Sequence, residues 1–357
     1  MKILHVGNVG TAYVIVRELR KRGIDSNLLI EKQQIEGLAS INNPIKFDKG
    51  LDGSIPEWVN FYSTNEKNWK FNLLKKMRKY DLIHAYMGLP IYAMFSGKPY
   101  VAQSVGDDLR VIAFKKSVKG LLLRMAYRRA KTFIYEWPPH TSYVDQLKIS
   151  NTMFIPKPWE TSTFSKGKNE KTNGKTLTIF HPLGQDWHWK GNDKFLRAFA
   201  RLCKEKADIF LYYVDWGKDS EKAKKIIDTP DVKERIKILP GPISREEMTN
   251  FMEISDLVAD QFNSGSFTRT GIESMFFGIP MILNLNEEIF LKLFGDIPSA
   301  INAKNEDDIY YKLKELISSK DNLIEMGQKT KIWAQKHYNL KNNIERYIQV
   351  YTNILKK

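Results

Sequence analysis

Cysteine is nearly missing: Cys203 is the only one in 357 residues. An internal disulfide is therefore excluded, no thiolate pair exists for a zinc site, and a reducing, cytoplasmic setting is the natural expectation. Long apolar runs are missing too. The longest uncharged stretches, such as 86–97, fall well short of the roughly 20 residues that cross a bilayer. The first seven residues, MKILHVG, read as a strand, so neither a membrane span nor a signal peptide is expected. Short-period repeats and low-complexity tracts are also lacking. What remains, 42% hydrophobic and 27% charged residues, is the make-up of a folded globular protein rather than a disordered or fibrous one. The length favours two domains.

Acidic residues are unevenly scarce. The chain carries a net charge of +15, and the first 165 residues hold 25 basic against 14 acidic side chains, the other 192 holding 31 against 27. Such an imbalance implies an anionic partner for the first half. It concentrates in two acid-free segments. One, 114–131, contains Lys115, Lys116, Lys119, Arg124, Arg128, Arg129 and Lys131, with Phe114, Val118, Leu121, Leu122 and Met125 at helical spacing. The other, 70–79, sets Lys70, Lys75, Lys76, Arg78 and Lys79 around Phe71, Leu73, Leu74 and Met77. Segments 70–79 and 115–131 read as basic amphipathic helices that settle on an anionic membrane surface; the plainer alternative is two solvated helix faces packed on a sheet. No nucleic-acid-binding module accompanies the charge, so nucleic acid is not expected as a partner.

Apolar strand-like runs at 1–7, 26–30, 82–86, 100–105 and 132–135 alternate with helical segments. After a polar, glycine-bearing stretch the alternation restarts at 177–181 and continues through 209–214, 236–239, 257–261 and 279–285. Alternation of this kind indicates parallel sheets. The expected organisation is a first domain over 1–160, a linker over 161–176, a second domain over 177–335 and a final helix over 336–357 that crosses back to the first.

Chemistry concentrates in 256–284, DLVADQFNSGSFTRTGIESMFFGIPMILN. It reads as a strand, a small-residue loop over 263–271, a helix over 272–277 and a second strand. A Gly, Ser and Thr loop opening a helix presents unpaired N–H groups and the positive end of the helix dipole, which suits a phosphate. Glu273, in the first turn, would pair with neutral hydroxyls such as those of a ribose; alternatively it merely complements the dipole.

This stretch resembles the family 4 retaining glycosyltransferases, whose GT-B fold is α/β, with two Rossmann-like parallel-sheet domains facing across a cleft. Their signature is an acid, seven residues, then Glu, small residues and G-x-P. Glu273, Ser274, Met275, Gly278 and Pro280 match its second half; Gly265 stands where the first acid belongs. The resemblance implies a ribose role for Glu273 and leaves the sugar role unassigned. FHPLGQDWHWKGND, 180–193, is similar to the family's diphosphate-binding segment, with Lys190 and Gly191 matching its Lys-Gly. Gly184 and Gln185 replace its arginine, for which Arg269 is a substitute candidate. Ser266, Phe267, Thr268, Arg269 and Thr270 make up the implied phosphate loop. In the first domain, GNVGT, with Gly7 and Gly10, resembles the family's N-terminal glycine loop, and VGDDLR its G-x-D-x-R, with Gly106, Asp108 and Arg110. Asp108 is then a candidate to orient the sugar or an acceptor hydroxyl, against a plain capping role. Val105 stands where many relatives have a histidine, and His84 closes a strand at a cleft-facing place in relatives.

The function so implied is transfer, with retention, from a nucleotide-sugar donor to a glycan or lipid-linked acceptor in surface-glycan or glycolipid synthesis, on the inner face of the cell membrane. Leaving-group charge would be met by Lys190 and backbone amides. No Asp-x-Asp sits in a suitable loop, so neither metal nor other cofactor is expected. The rivals are a catalytically silent nucleotide-sugar-binding protein of the same fold and a nucleotide-sugar epimerase.

Overall fold

A computed structural model describes residues 1–33, 55–160, 175–320 and 322–356. The chain divides into two compact units, one of Met1–Glu160 with Tyr338–Lys357, the other of Thr161–His337. All but the last two residues of the expected linker, 161–176, lie outside the described residues.

The first unit is a seven-stranded sheet in the order β3-β2-β1-β4-β5-β6-β7. Its strands are β1 Lys2–Val6, β2 Asp25–Glu31, β3 Val59–Tyr62, β4 Leu82–Tyr86, β5 Tyr100–Ser104, β6 Thr132–Tyr135 and β7 Thr152–Phe154, and every pairing is parallel. β4 and β5 are buried along their whole length, as strands covered on both faces must be. On one face the helices Val9–Lys21 and Leu340–Leu355 close a core of Ile3, Ile15, Leu82, Ile134, Ile344 and Tyr351, among others. Right-handed crossovers put the helices Trp69–Met77, Pro90–Phe95 and Val118–Arg129 on the opposite face, where each touches the next.

The second unit is a six-stranded sheet in the order β10-β9-β8-β11-β12-β13. The strands are β8 Leu177–His181, β9 Ile209–Asp215, β10 Ile236–Pro240, β11 Leu257–Ala259, β12 Met281–Leu283 and β13 Ile301–Asn302, again all parallel. The order reverses between β8 and β11. At such a switch point the following loops diverge and leave room for a ligand outside the carboxyl ends of the strands.

Helix Val118–Arg129 leaves much of its apolar stripe uncovered. It starts at Val118 and buries Gly120, Leu123, Ala126 and Tyr127, whereas Phe114, Val118 and Leu121 of the predicted apolar stripe are exposed. Ser117 caps it, its hydroxyl accepting from the Gly120 N–H.

Candidate functional site

Beyond β8 the chain turns into a short helix, Trp187–Lys190, started by Asp186, whose carboxylate accepts from the Trp189 N–H. Its last residue is Lys190. The ammonium donates to the Gly184 carbonyl at 3.1 Å and sits 5.6 Å above the Trp216 ring, a cation held by a quadrupole. Trp216 is fixed in turn, its indole N–H donating to the Pro182 carbonyl at 3.1 Å. Burial pulls the Lys190 ammonium below the usual lysine range, and the carboxylates of Asp260 and Asp186 oppose that shift.

The loop after β11 is stapled to this cation. The Phe262 N–H donates to the Lys190 carbonyl at 2.6 Å, and the Asn263 amide donates to the Trp187 and His188 carbonyls, both at 3.0 Å. Close approach explains Gly191: its φ is +64°, and a Cβ there would lie 2.6 Å from Asn263 Oδ1, so a side chain is excluded twice over.

Beneath the loop lies Asp260, fully buried. One carboxylate oxygen accepts from the Thr268 N–H and the other from the Thr268 hydroxyl, each at 2.7 Å. Thr268 caps helix Arg269–Phe277, its hydroxyl oxygen accepting from the Gly271 N–H. Gln261 ties the same loop by donating to the Ser266 carbonyl at 2.7 Å. Burial pushes the Asp260 carboxyl up to about 6, against the pull of Thr268 and Lys190. A carboxylate under a helix N-terminus is favourably placed, and Asp260 thereby joins Lys190 electrostatically to the helix that carries Glu273.

His181 supports the same corner. Its Nδ1–H donates to the Ala259 carbonyl at 2.8 Å, which fixes the tautomer and leaves Nε2 to accept from the amides of Asn192 and Gln185. Burial holds it down at about 4, so it is neutral at ordinary pH.

The sequence-derived candidates of the second unit fall as follows. Lys190 and Thr268 meet at the switch point through Asp260. Ser266 is buried with no partner for its hydroxyl among the described residues. Thr270 lies in the first turn, where a backbone N–H has no intrahelical acceptor. The Phe267 ring is packed in the core against Phe290 and Trp333, which leaves only its backbone for a ligand. Glu273 is mostly covered and pairs with Arg269 one turn back at 3.2 Å, so the guanidinium suggested for the missing arginine lies along its own helix. Helix formation begins at Arg269 rather than at Ile272, the cap having drawn three more residues into the turn. Asp260, Asn263 and His181 were not singled out from the sequence; an ionisable residue inside the apolar run LVADQF is the signal that would have found Asp260.

In the first unit Gly10 lies in the opening turn of helix Val9–Lys21. Asp108 is buried, one oxygen accepting from the N–H groups of Val105 and Gly106 and the other from the Tyr127 hydroxyl at 2.6 Å. In this structure its work is to hold the 105–108 turn. His84 is wholly buried against the Tyr351 hydroxyl, and burial depresses it well below the usual histidine value. Among the described residues no group of three or more His, Cys, Asp or Glu side chains is arranged to hold a metal ion, and no helix is long and apolar enough to cross a membrane.

Two parallel-sheet α/β units define the GT-B class, and solved structures of that class superpose on the whole chain. HepE of Anabaena, solved with UDP and glucose, matches with a TM-score of 0.71 at 15% identity, covering 99% of this chain and 100% of its own. Sucrose-phosphate synthase of Thermosynechococcus elongatus matches at 0.67 and 12%, covering 100% of each chain. A protein of Listeria monocytogenes described as a putative UDP-N-acetylglucosamine 2-epimerase matches at 0.57 and 13%, covering 97% of this chain and 94% of its own. Likeness at these identities establishes the fold alone. Residues 163–333 match the family model for glycosyl transferases group 1, nearly the whole second unit, and this match together with the fold supports that family. No curated protein matches the sequence.

Proposed function

We propose that the protein is a retaining, metal-independent glycosyltransferase of family 4. It moves a sugar from a nucleotide-sugar donor to a glycan or lipid-linked acceptor, at the inner face of the cell membrane, in surface-glycan or glycolipid synthesis. One observation carries the reading. At the β8–β11 switch point the Lys190 loop and the 261–268 loop are bonded backbone to backbone, which sets a half-buried cation beside a capped helix N-terminus.

That pairing suits a departing nucleoside diphosphate. Breaking the anomeric bond leaves negative charge on the diphosphate, and a fixed ammonium with oriented N–H groups stabilises it without reorganising. Glu273, on the same helix, takes the ribose hydroxyls. The match over 163–333 and the nucleotide-bound state of the Anabaena structure support a nucleotide-sugar donor.

A second reading is favoured by Gly265, which occupies the place of the family's first acid with φ +70°, a conformation that a carboxylate-bearing residue adopts only with strain. The chain would then bind nucleotide-sugars without turning them over.

The test is a thermal-shift panel of UDP-, GDP- and ADP-sugars, followed by product analysis with acceptor glycolipids for whichever donor responds. One matching donor should raise the melting temperature, Glu273→Ala should weaken that response, and Lys190→Ala should weaken it further. Binding without product selects the silent reading. No response to any nucleotide-sugar overturns both.

A further inference from the structure

The helices Trp69–Met77, Pro90–Phe95 and Val118–Arg129 line one face of the first unit's sheet, and none of them contains an aspartate or glutamate. The opposite face differs: helix Val9–Lys21 bears Glu18, helix Leu340–Leu355 bears Glu345, and both are tied into ion pairs with Arg22. The acid-free stretch is confined to these three helices, the next helix on that face, His140–Gln146, bringing Asp145.

The same face exposes large apolar side chains. Phe71 is 65% exposed, Phe95 54%, Val118 74% and Leu121 51%. They stand among Lys70, Lys75, Lys119 and Arg129, none of which has a carboxylate partner among the described residues. Lys75, Lys76 and Lys79 also line a depression of about 280 Å³ walled by Tyr62 and Trp69. Its one acid, Glu66, accepts from the Asn72 amide. Exposed apolar side chains on neighbouring helices, interleaved with cations that lack a carboxylate partner among the described residues, match a surface that is apolar beneath and anionic on top.

We propose that this three-helix face docks on an anionic lipid bilayer. Phe71, Phe95, Val118 and Leu121 enter the headgroup layer, and the lysines and arginines around them meet lipid phosphates. The inference rests on the membrane location proposed above and adds to it the face, the inserted residues and a two-part attachment in which charge selects and apolar insertion holds.

The test is flotation of the full chain with phosphatidylcholine vesicles, with and without phosphatidylglycerol, at low and high salt. Three variants are compared: a charge variant (Lys75→Gln, Lys79→Gln, Lys119→Gln, Arg129→Gln), an apolar variant (Phe71→Ser, Val118→Ser, Leu121→Ser), and a control in the second unit (Lys237→Gln, Lys292→Gln, Lys312→Gln). Melting curves establish that each is folded. The wild type and the control should float with phosphatidylglycerol vesicles only. The charge variant should lose this by at least about tenfold. The apolar variant should bind at low salt and be stripped at high salt. If the wild type floats with neither vesicle, or binds RNA in a salt-sensitive way instead, the membrane reading and the inference fall together. Wild-type flotation that neither face variant reduces leaves the membrane location standing and overturns this face. An apolar variant as salt-resistant as the wild type overturns insertion.

Discussion

Lys190 and Asp260 form a coupled pair of residues in which each shifts the other, and that coupling can be read in stability as well as in ligand response. Burial pushes the Asp260 carboxyl up to about 6 from 3.8. A raised carboxyl favours the native state most below its unfolded value, and this contribution is lost as pH rises through about 6. His181 runs the other way. Held down at about 4 from 6.5, it contributes fully above 6.5, and its contribution is lost as pH falls toward 4, at about 1.4 kcal/mol per unit. Between about 4 and 6 the two slopes oppose. Asp260→Asn should therefore steepen acid destabilisation in that window and His181→Gln should flatten it, as measured by urea unfolding at a series of pH values. Asp260→Ala, which strands the Thr268 N–H and hydroxyl, should cost about 2 kcal/mol at neutral pH and weaken the thermal-shift response to the matching nucleotide-sugar. Of this corner, Lys190 and Thr268 were legible because motif and loop composition point to them. Asp260 and His181 were not, because a titratable residue inside an apolar strand looks like the strand until its partners, Thr268 and Ala259, are seen in space.

Elements were easiest to read where one periodicity ran long. β1, β4, β5, β6 and β8 lie where apolar runs place them, while β3 and β13, of four and two residues, are too short to carry a pattern. In helix Val118–Arg129 the stripe was legible but not whether the sheet would cover it, and Phe114, Val118 and Leu121 are left exposed. The motif helix Arg269–Phe277 depends on a feature that no local pattern encodes. It ends at Gly278, φ +72°, which is pressed against helix Asn322–His337: a Cβ on Gly327 would lie 2.0 Å from the Gly278 carbonyl oxygen and 3.3 Å from Pro280 Cδ. The glycine and proline of the G-x-P motif are thus packed on a glycine some fifty residues on. Backbone cannot yield as a flexible side chain can, so Gly327→Ala must force the two helices apart, with Trp333 dragged from Phe267 and Phe290. A loss of about 3 kcal/mol is expected in denaturant titration. The shift of helix Arg269–Phe277 should also weaken the response to donor nucleotide, although Gly327 belongs to none of the loops at the switch point.

At the scale of the whole molecule, the chain leaves the first unit at Glu160 and re-enters it at Tyr338. The two passages run side by side, the Trp159 N–H donating to the Tyr338 carbonyl at 3.3 Å. The returning helix, Leu340–Leu355, is core rather than appendage. Ile344, Tyr347, Val350 and Tyr351 are buried against Ile3, Leu82, Val101 and Ile134, and the Tyr351 hydroxyl lies 2.7 Å from His84 Nδ1. Each such buried side chain contributes on the order of 2 kcal/mol, so the helix as a whole is worth most of the 5–15 kcal/mol, roughly, that a domain has to spare. The second unit shares none of this core; its own is built from Leu177, Phe195, Leu211, Leu257 and Ile309, among others. Truncation after His337 should therefore act on one unit and not on the other. In a calorimetric scan the transition of the first unit should vanish or fall sharply while that of the second persists, and limited proteolysis should leave a resistant fragment spanning about 177–337. Because Lys190, Asp260 and Glu273 all lie in that fragment, a nucleotide-sugar that stabilises the full chain should still raise the surviving transition, whereas sugar transfer, which on the proposed reading takes its acceptor from the first unit, should be lost. A truncated chain whose remaining transition no longer responds to the nucleotide would show that the donor site is not contained in the second unit.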